Sequence, residues 1–261
     1  MAKQRADLLL VERGLAETRS LAQRLVMAGQ VRADGQVVLK PASLLDEGVR
    51  LEIITGPKYV SRGGDKLAAA LAAFPAVVPG AACADVGAST GGFTDCLLQS
   101  GARRVYAIDV GHGVLHWKLR NDPRVVVMER TNARYLERLP EPVDLVVMDA
   151  AFISASVLVP AAAGWFGEQG ELIVLIKPQF EAGRADAARG QGVIRDPAMH
   201  ARILLDLLPA IEGSGLALCG LIRSPVTGPK GNIEFLGYFR KQAFPGLEIE
   251  QAVRDAMEGS S

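Results

Sequence analysis

Short, continuous apolar runs recur from residue 80 onward, separated by segments in which apolar residues have helical spacing. Runs without alternation are typical of strands buried on both faces of a parallel sheet, with helices as the crossovers. The predicted strands cover residues 80–86, 104–110, 125–128, 143–148, 171–176, 217–222 and 232–239. This pattern predicts an α/β, Rossmann-like domain with a seven-stranded sheet that ends in a hairpin.

The N-terminal residues follow a different pattern. Helical spacing predicts short helices over 7–14 and 20–29, while Asp34-Gly35 predicts a hairpin turn within 31–38, with another strand over 49–53. A Gly-Pro pair after Thr55 predicts a linker. We therefore expect a domain over 1–55, a linker over 56–62, a second domain over 63–245 and a tail over 246–261, with a small-residue loop over 183–192 and disorder over 258–261.

Composition adds limits to this picture. The 261 residues, 49% of them hydrophobic, can bury one sizeable core and carry a small extra module. The formal net charge is zero, but residues 1–66 hold eleven Lys and Arg against eight Asp and Glu, a mild positive excess. Cys83, Cys96 and Cys219 are far apart, so we expect neither a metal site nor a disulfide framework, and a reduced, cytoplasmic protein.

A membrane span has to be considered for residues 143–166, which reach the necessary length. Asp144, Asp149 and Pro160 interrupt this stretch, so a buried strand, a loop and a helix are expected instead. Residues 1–7 are charged and the apolar run behind them is short, which does not favour a signal peptide. No membrane association is expected.

A glycine-rich turn follows the first strand of the predicted sheet and reads Asp85-Val-Gly-Ala-Ser-Thr-Gly-Gly-Phe93. Glycines at a strand-to-helix turn let backbone N–H groups approach a ligand, and an acid about 20 residues further on, here Asp109, suits ribose hydroxyls. The spacing is not the G-x-G-x-x-G of dinucleotide folds. A glycine turn that binds nothing is the alternative.

This turn resembles the first motif of S-adenosylmethionine-dependent methyltransferases. The resemblance implies that Asp85 serves the cationic methionine end of S-adenosyl-L-methionine and that Asp109 holds its ribose. Asn132, which follows the third strand, is a candidate for the adenine edge. The full set of expected cofactor-binding residues is Asp85, Gly87, Ser89, Thr90, Gly91, Gly92, Phe93, Asp109, Asn132 and Asp149.

The N-terminal domain resembles the S-four-like RNA-binding fold. The resemblance covers residues 3–54 and rests on Arg5-x-Asp7-x-x-Leu10, Gly14-Leu15, Thr18-Arg19-Ser20, Gly29-x-Val31 and Asp34-Gly35 with Lys40-Pro41. Such modules contact phosphates and RNA shape more than base sequence. The expected RNA contacts are Arg5, Arg19, Arg24, Arg32, Lys40 and Arg62. Ordinary solvated charges are the alternative interpretation.

Four charged residues at distant positions, Lys66, Asp149, Lys177 and Glu234, resemble the Lys-Asp-Lys-Glu tetrad of FtsJ-type ribose 2′-O-methyltransferases. The resemblance implies that Lys177 is the base or orients the hydroxyl group, and that the two carboxylates hold the lysines. No metal is expected in this chemistry.

Over nearly its full length the chain resembles the TlyA, or haemolysin A, family. The recurrent segments are Val60-Ser-Arg-Gly-Gly64, Asp85-Val-Gly-Ala-Ser-Thr-Gly-Gly-Phe-Thr-Asp95, Lys177-Pro-Gln-Phe-Glu181, Gly192-Val-Ile-Arg-Asp-Pro197 and Gly231-Asn-Ile-Glu-Phe235. The resemblance implies a class I methyltransferase domain acting on the ribose of cytidine in ribosomal RNA, with ribosomal RNA or ribosomal subunits as partners. Ala150-Ala151 departs from the family, in which a serine usually precedes the phenylalanine.

Two alternative functions stay open at this point. The second family name implies a membrane-active haemolysin, and a non-catalytic RNA-binding protein would retain the same two domains. Residues 150–154 lack the Pro-Pro-aromatic sequence of amino-group methyltransferases, and no cysteine lies nearby to serve a cytosine-carbon methyltransferase. These two enzyme classes are therefore disfavoured.

Overall fold

The computed structural model describes residues 3–54, 56–182, 192–241 and 246–259. The chain divides between Lys58 and Tyr59 into two compact units. The loop predicted over 183–192 falls outside the described residues apart from Gly192, as do the last two residues of the predicted disordered end.

The N-terminal unit is a small α+β module. Its elements are β1 Lys3–Arg5, α1 Ala6–Glu12, α2 Arg19–Met27, β2 Val31–Ala33, β3 Gln36–Val37, β4 Leu44–Asp46 and β5 Leu51–Ile53. Strands β3, β2 and β5 form an antiparallel sheet in that order, and β1 pairs with β4. Asp34 (φ +48°) and Gly35 (φ +81°) both take left-handed conformations, as the tight turn between β2 and β3 requires.

The second unit is built on a seven-stranded sheet with the order β11-β12-β10-β9-β6-β7-β8. The strands are β6 Ala82–Val86, β7 Arg104–Ile108, β8 Val125–Met128, β9 Val143–Met148, β10 Phe166–Ile176, β11 Leu216–Arg223 and β12 Phe235–Lys241. Strand β12 runs antiparallel to both of its neighbours, β10 and β11. The beginning of β12 therefore lies at the same edge of the sheet as the carboxyl end of β10.

Helices cover both faces of this sheet. They are α3 Gly63–Ala73, α4 Gly92–Gln99, α5 Trp117–Arg120, α6 Ala155–Ala163, α7 Pro178–Glu181, α8 Pro197–Glu212 and α9 Ile249–Glu258. Successive side chains of a strand point to opposite faces. Leu145 and Val147 of β9 accordingly pack in a core with α3 and α4, whereas Val146 and Met148 pack in a second core with α6 and α8.

The stretch 143–166 consists of β9, a loop, α6 and the first residue of β10. Within the ranges that the structure describes, no helix is long and apolar enough to cross a membrane. Three predicted details need correction: β1 and β4 were not predicted, β10 begins at Phe166 rather than at residue 171, and β12 begins at Phe235, so Glu234 precedes the strand.

Candidate active site

A cavity of about 840 Å³ lies at the carboxyl edge of the sheet in the second unit. It brings together many of the residues that the sequence predicts for the site. Those that line it are Arg62, Lys66, Gly87, Ser89, Thr90, Gly92, Phe93, Asp149, Lys177 and Glu234. Four predicted residues are not part of its wall, namely Asp85, Gly91, Asp109 and Asn132.

The glycine turn after β6 packs against the end of β9. Gly87 has a φ of +82°, and a Cβ at this position would lie 2.7 Å from the backbone oxygen of Asp149. A Cβ at Gly92 would likewise lie 2.3 Å from Ser61 Oγ. Side chains at these two positions would push the turn away from its neighbours, which explains why glycine occupies them.

Asp85 lies directly beneath this turn and is fully buried. Thr94 Oγ1 donates a hydrogen bond of 2.6 Å to its Oδ2, but none of the described residues offers a hydrogen bond to Oδ1. Burial raises the pKa of Asp85 to about 7, and the charges of Asp149 and Asp109 add to the rise, while the hydrogen bond from Thr94 opposes it. A buried carboxyl with a free oxygen is suited to a cationic partner.

Asp109 and Asn132 organise the loops beside the turn. Asp109, directly after β7, accepts hydrogen bonds from the backbone of Ser89 at 2.8 Å and Gly111 at 2.7 Å. Asn132 is exposed and accepts a hydrogen bond of 3.0 Å from the backbone of Arg134, which caps a short 3₁₀ turn. Each Asp109 oxygen keeps a lone pair for a further donor, and the amide nitrogen of Asn132 takes no part in this cap.

Lys66 and Glu234 form an ion pair at one side of the cavity. Lys66 is 7% exposed and Glu234 is 1% exposed, so both charges are almost fully desolvated. Glu234 Oε1 has no hydrogen-bond partner in the part of the chain that the structure describes. Lys66 lies in the first turn of α3, where the helix dipole disfavours a cation, and the carboxylate of Glu234, just before β12, compensates for that position.

Lys177 and Asp149 form a second ion pair between the ends of β10 and β9. Lys177 Nζ also donates a hydrogen bond of 3.2 Å to the backbone oxygen of Ala150 and lies 5.8 Å from the centre of the Phe180 ring. The contact at Ala150 is made by the backbone, so it does not depend on a serine hydroxyl before Phe152. The two pairs place two lysines and two carboxylates on one cavity wall.

The segment before α3 is fixed to α4 by Asp95. This carboxylate is 2% exposed and accepts hydrogen bonds from the backbone of Val60 at 3.0 Å and from Lys118 Nζ at 3.2 Å. Gly64 lies against the ring of Tyr59, where a Cβ would come within 2.2 Å. The Val60–Gly64 segment is thereby held where Arg62 can line the cavity.

Phe152 is a residue that the sequence did not single out. Its side chain is 89% exposed, its φ is +65°, and its ring lies 4.8 Å from that of Phe180 at an angle of 49°. Glu181 fixes the following residues by accepting hydrogen bonds from the Ser154 hydroxyl and from the backbone of Ala155. Strained backbone at a bulky exposed residue indicates a functional position.

Gln179, Lys230 and Asn232 also line the cavity without having been predicted. Gln179 is 8% exposed, and its Oε1 is buried without a partner among the described residues. Asn232 is committed to the backbone, since it accepts from Ile194 at 3.2 Å and donates to Gly192 at 3.0 Å. Gln179 and Asn232 could have been predicted from the sequence, because they lie within the recurrent segments Lys177–Glu181 and Gly231–Phe235.

Known proteins are similar to this chain over both of its units. The model for FtsJ-like methyltransferases matches residues 59–241, and the model for the S4 domain matches residues 4–51. The 16S/23S rRNA (cytidine-2′-O)-methyltransferase TlyA of Mycobacterium tuberculosis is 45% identical over 97% of this chain and 97% of its own. The chain belongs to the TlyA family of FtsJ-like methyltransferases.

Other members of the TlyA family carry the second family name. Hemolysin A of Brachyspira hyodysenteriae is 41% identical over 90% of this chain and 99% of its own. A solved structure of a provisionally named hemolysin from Streptococcus thermophilus is 40% identical, with a TM-score of 0.75, and the match covers 99% of this chain and 96% of that one. The family resemblance inferred from the sequence is therefore confirmed.

In this TlyA-family chain, two of the arginines predicted to contact RNA have internal partners. Arg5 and Arg19 both pair with the fully buried Asp7, to which Gln23 also donates a hydrogen bond of 2.9 Å. The hydrogen bonds from Arg5, Gln23 and Arg19 lower the pKa of Asp7 against the effect of burial. The arginines keep exposed fractions of 38% and 54%, which leaves part of each guanidinium accessible to phosphates.

The other predicted contacts of the S4 domain are accessible. Arg24, Arg32 and Lys40 are all exposed, and no described carboxylate lies within ion-pair distance of them. Arg62, in the second unit, is also exposed. These cations have the freedom that phosphate contacts require.

Proposed function

We propose that this chain transfers a methyl group from S-adenosyl-L-methionine to the ribose 2′-hydroxyl of a cytidine in ribosomal RNA. The observation that carries the proposal is the presence of two lysine–carboxylate pairs, Lys66–Glu234 and Lys177–Asp149, on the wall of the cavity that the glycine turn also lines. The curated relative from Mycobacterium tuberculosis supports the choice of ribosomal cytidine as substrate.

The residues around the glycine turn fit the cofactor. The orphaned Asp85 oxygen suits a cationic amino acid end. Gly87, Ser89, Thr90 and Gly92 line the cavity beside the start of α4, where backbone N–H groups can meet a ligand. When bound, S-adenosyl-L-methionine supplies a cationic sulfonium from which the methyl group leaves readily. The residues proposed to hold it are Asp85, Gly87, Ser89, Thr90, Gly91, Gly92, Phe93, Asp109, Asn132 and Asp149.

Lys177 is assigned to orient the ribose hydroxyl. Its ammonium group has three N–H donors, of which Asp149 and the Ala150 oxygen account for two. The third donor can hold the hydroxyl oxygen within about 3 Å of the methyl group, where positioning contributes most to rate. As the new C–O bond forms, the hydroxyl proton passes to a carboxylate oxygen of Asp149, because the Lys177 ammonium group already carries three protons. Lys66 with Glu234 fixes the adjoining wall.

The exposed groups at the cavity rim suit RNA. Arg62 and Lys230 are exposed cations on its wall, and Phe152 offers an aromatic face on which a base can stack. In the N-terminal unit, Arg24, Arg32 and Lys40 are assigned to phosphate contacts. Ribosomal RNA, free or in a subunit, is the proposed partner.

The test is transfer of labelled methyl from the cofactor to purified 30S and 50S subunits that lack the modification. We expect label at one RNA linkage that becomes resistant to alkali, since a 2′-O-methyl group blocks strand cleavage. Lys177→Ala is expected to abolish the label, whereas Lys241→Ala should retain it, because Lys241 ends β12, does not line the cavity and donates a hydrogen bond to the Gly167 backbone oxygen.

Separate outcomes would contradict separate parts of the proposal. Cofactor binding without label in either subunit would reject ribosomal RNA as the substrate. A chain that does not bind the cofactor in calorimetry would reject methyl transfer, and an RNA-binding role would replace it. Label that survives Lys177→Ala would reject the assignment of Lys177.

A further inference from the structure

Gln179 is a neutral polar side chain on the cavity wall, and its amide oxygen has no hydrogen-bond partner among the described residues. It follows Lys177 by two residues, in α7, and is 8% exposed. Its Oε1 is buried and receives no hydrogen bond from the residues that the structure describes. Burying an amide without a partner costs free energy, so its presence on a cavity wall indicates a ligand that completes its hydrogen bonds.

The neighbours of Gln179 narrow the choice of ligand. Lys177 is assigned to the ribose hydroxyl, and Phe180 packs against the exposed Phe152 ring. Aromatic faces hold any base by stacking, so they distinguish poorly between cytosine and uracil. Discrimination between these bases requires a hydrogen-bonding group directed at the base edge.

Among the described residues of the cavity wall, two side chains are carboxamides, Gln179 and Asn232. The Asn232 amide is used on both sides by the backbone of Ile194 and Gly192. Gln179 is therefore the carboxamide that remains for a ligand. A carboxamide presents a donor beside an acceptor, which matches the adjacent N4 amino group and N3 acceptor of cytosine.

We propose that Gln179 reads the base edge of the target nucleotide and sets the preference for cytidine over uridine. This inference rests on the proposed function, because it takes the cavity to receive a nucleotide of RNA. The structure places the amide oxygen of Gln179 in the buried position. Uracil, with an acceptor at position 4 and a donor at N3, would need the amide nitrogen in that place.

The experiment compares subunits carrying the mapped target cytidine with subunits in which that cytidine is replaced by uridine. We expect wild-type protein to favour cytidine by about 10- to 100-fold in kcat/KM. Gln179→Met, which keeps the length of the side chain but removes both hydrogen-bonding groups, is expected to bring the ratio close to one, chiefly through slower reaction with cytidine. Gln251→Met, on the exposed face of α9, is the matched control and should keep the wild-type ratio.

The cytidine-to-uridine ratio separates base reading from a structural role, which would lower both rates together. A Gln179→Met variant that keeps the wild-type ratio would overturn the inference, whatever its absolute rate. Wild-type protein that methylates both substrates equally would also overturn it while leaving methyl transfer to RNA intact. Wild-type protein that methylates neither substrate would overturn the proposed function and the inference together.

Discussion

Gly228 gives a sharp test of how the Lys66–Glu234 pair is positioned. It lies in the loop before β12, and its backbone N–H donates a hydrogen bond of 2.9 Å to the Asn232 oxygen. A Cβ at this position would lie 2.1 Å from Glu234 Oε1. Gly228→Ala therefore introduces one methyl group directly against the carboxylate.

The expected cost to stability is small because the clash is with the end of a flexible side chain. Gly228 does not have a left-handed φ, so alanine can adopt its backbone conformation. The carboxylate has to withdraw by about 1 Å to restore ordinary van der Waals contact. Leaving its preferred rotamer would lower the free energy of unfolding by about 1 kcal/mol.

The expected cost to activity is much larger. A displaced Glu234 stays paired with Lys66 but shifts its ammonium group, and a misplacement of about 1 Å near reacting groups can cost about 100-fold in rate. Single-turnover methyl transfer to subunits and urea unfolding would measure both effects on the same protein. Gly167→Ala is the matched control, since its Cβ would make only an ordinary contact of 3.7 Å with Pro142.

A Gly228→Ala rate equal to that of Gly167→Ala would refute this reasoning, because the Lys66–Glu234 geometry would then not matter for the reaction. Loss of folding would refute it in another way, by showing that Glu234 cannot yield to the added methyl group. A slow, well-folded variant is the expected outcome.

Three further predictions concern other carboxylates. Without cofactor, the raised pKa of Asp85 gives a contribution to stability that is present below pH 3.8 and lost as the pH rises through about 7. Calorimetry should find that the affinity for the cofactor increases as the pH rises from 3.8 to about 7, because only ionised Asp85 attracts a cation. Asp85→Asn should flatten this pH dependence. The lowered pKa of Asp7 gives a contribution present above pH 3.8 and lost as the pH falls. Asp7→Asn should therefore weaken hydrogen-exchange protection of α1 and α2 at neutral pH, and the difference from wild type should narrow in acid; equal protection at neutral pH would contradict this. Glu181→Ala should raise the KM for RNA about 10-fold, since Ser154 and its neighbour lose the acceptor that fixes the loop carrying Phe152; an unchanged KM in steady-state kinetics, or an altered cofactor affinity, would contradict it.

The sequence predicts the large sheet well because its strands are buried on both faces. Strand β9 spans Val143–Met148, the predicted range, and five of its six residues are buried, since a mostly apolar run has one favourable environment. Strand β8, at the edge of the sheet, also spans its predicted range, Val125–Met128. Strands β1 and β4 could not be predicted in the same way. Each of these strands has three residues, and the paired residues lie about forty positions apart in the sequence. No local sequence pattern therefore predicts their pairing.

The candidate site could be predicted in outline for a related reason. Parallel strands bring their carboxyl ends to one edge, which explains why Asp149 after β9 and Lys177 after β10, grouped by the family resemblance, lie together. The spacing of residues along the sequence does not show which carboxylate pairs with each lysine, or that Gly228 contacts Glu234. Both depend on distances in the folded chain. Charge alone likewise could not reveal that Arg5 and Arg19 share a buried carboxylate.

The reversed direction of β12 ties the site to the completion of the polypeptide. Lys66 is synthesised 168 residues before the carboxylate that neutralises it, and that carboxylate reaches the site from the start of the last strand in the sheet. A shorter nascent chain would have to bury Lys66 as an uncompensated cation, which is strongly unfavourable. A fragment that ends before Glu234 is therefore expected to leave Lys66 without this partner and to lack the activity proposed for the site.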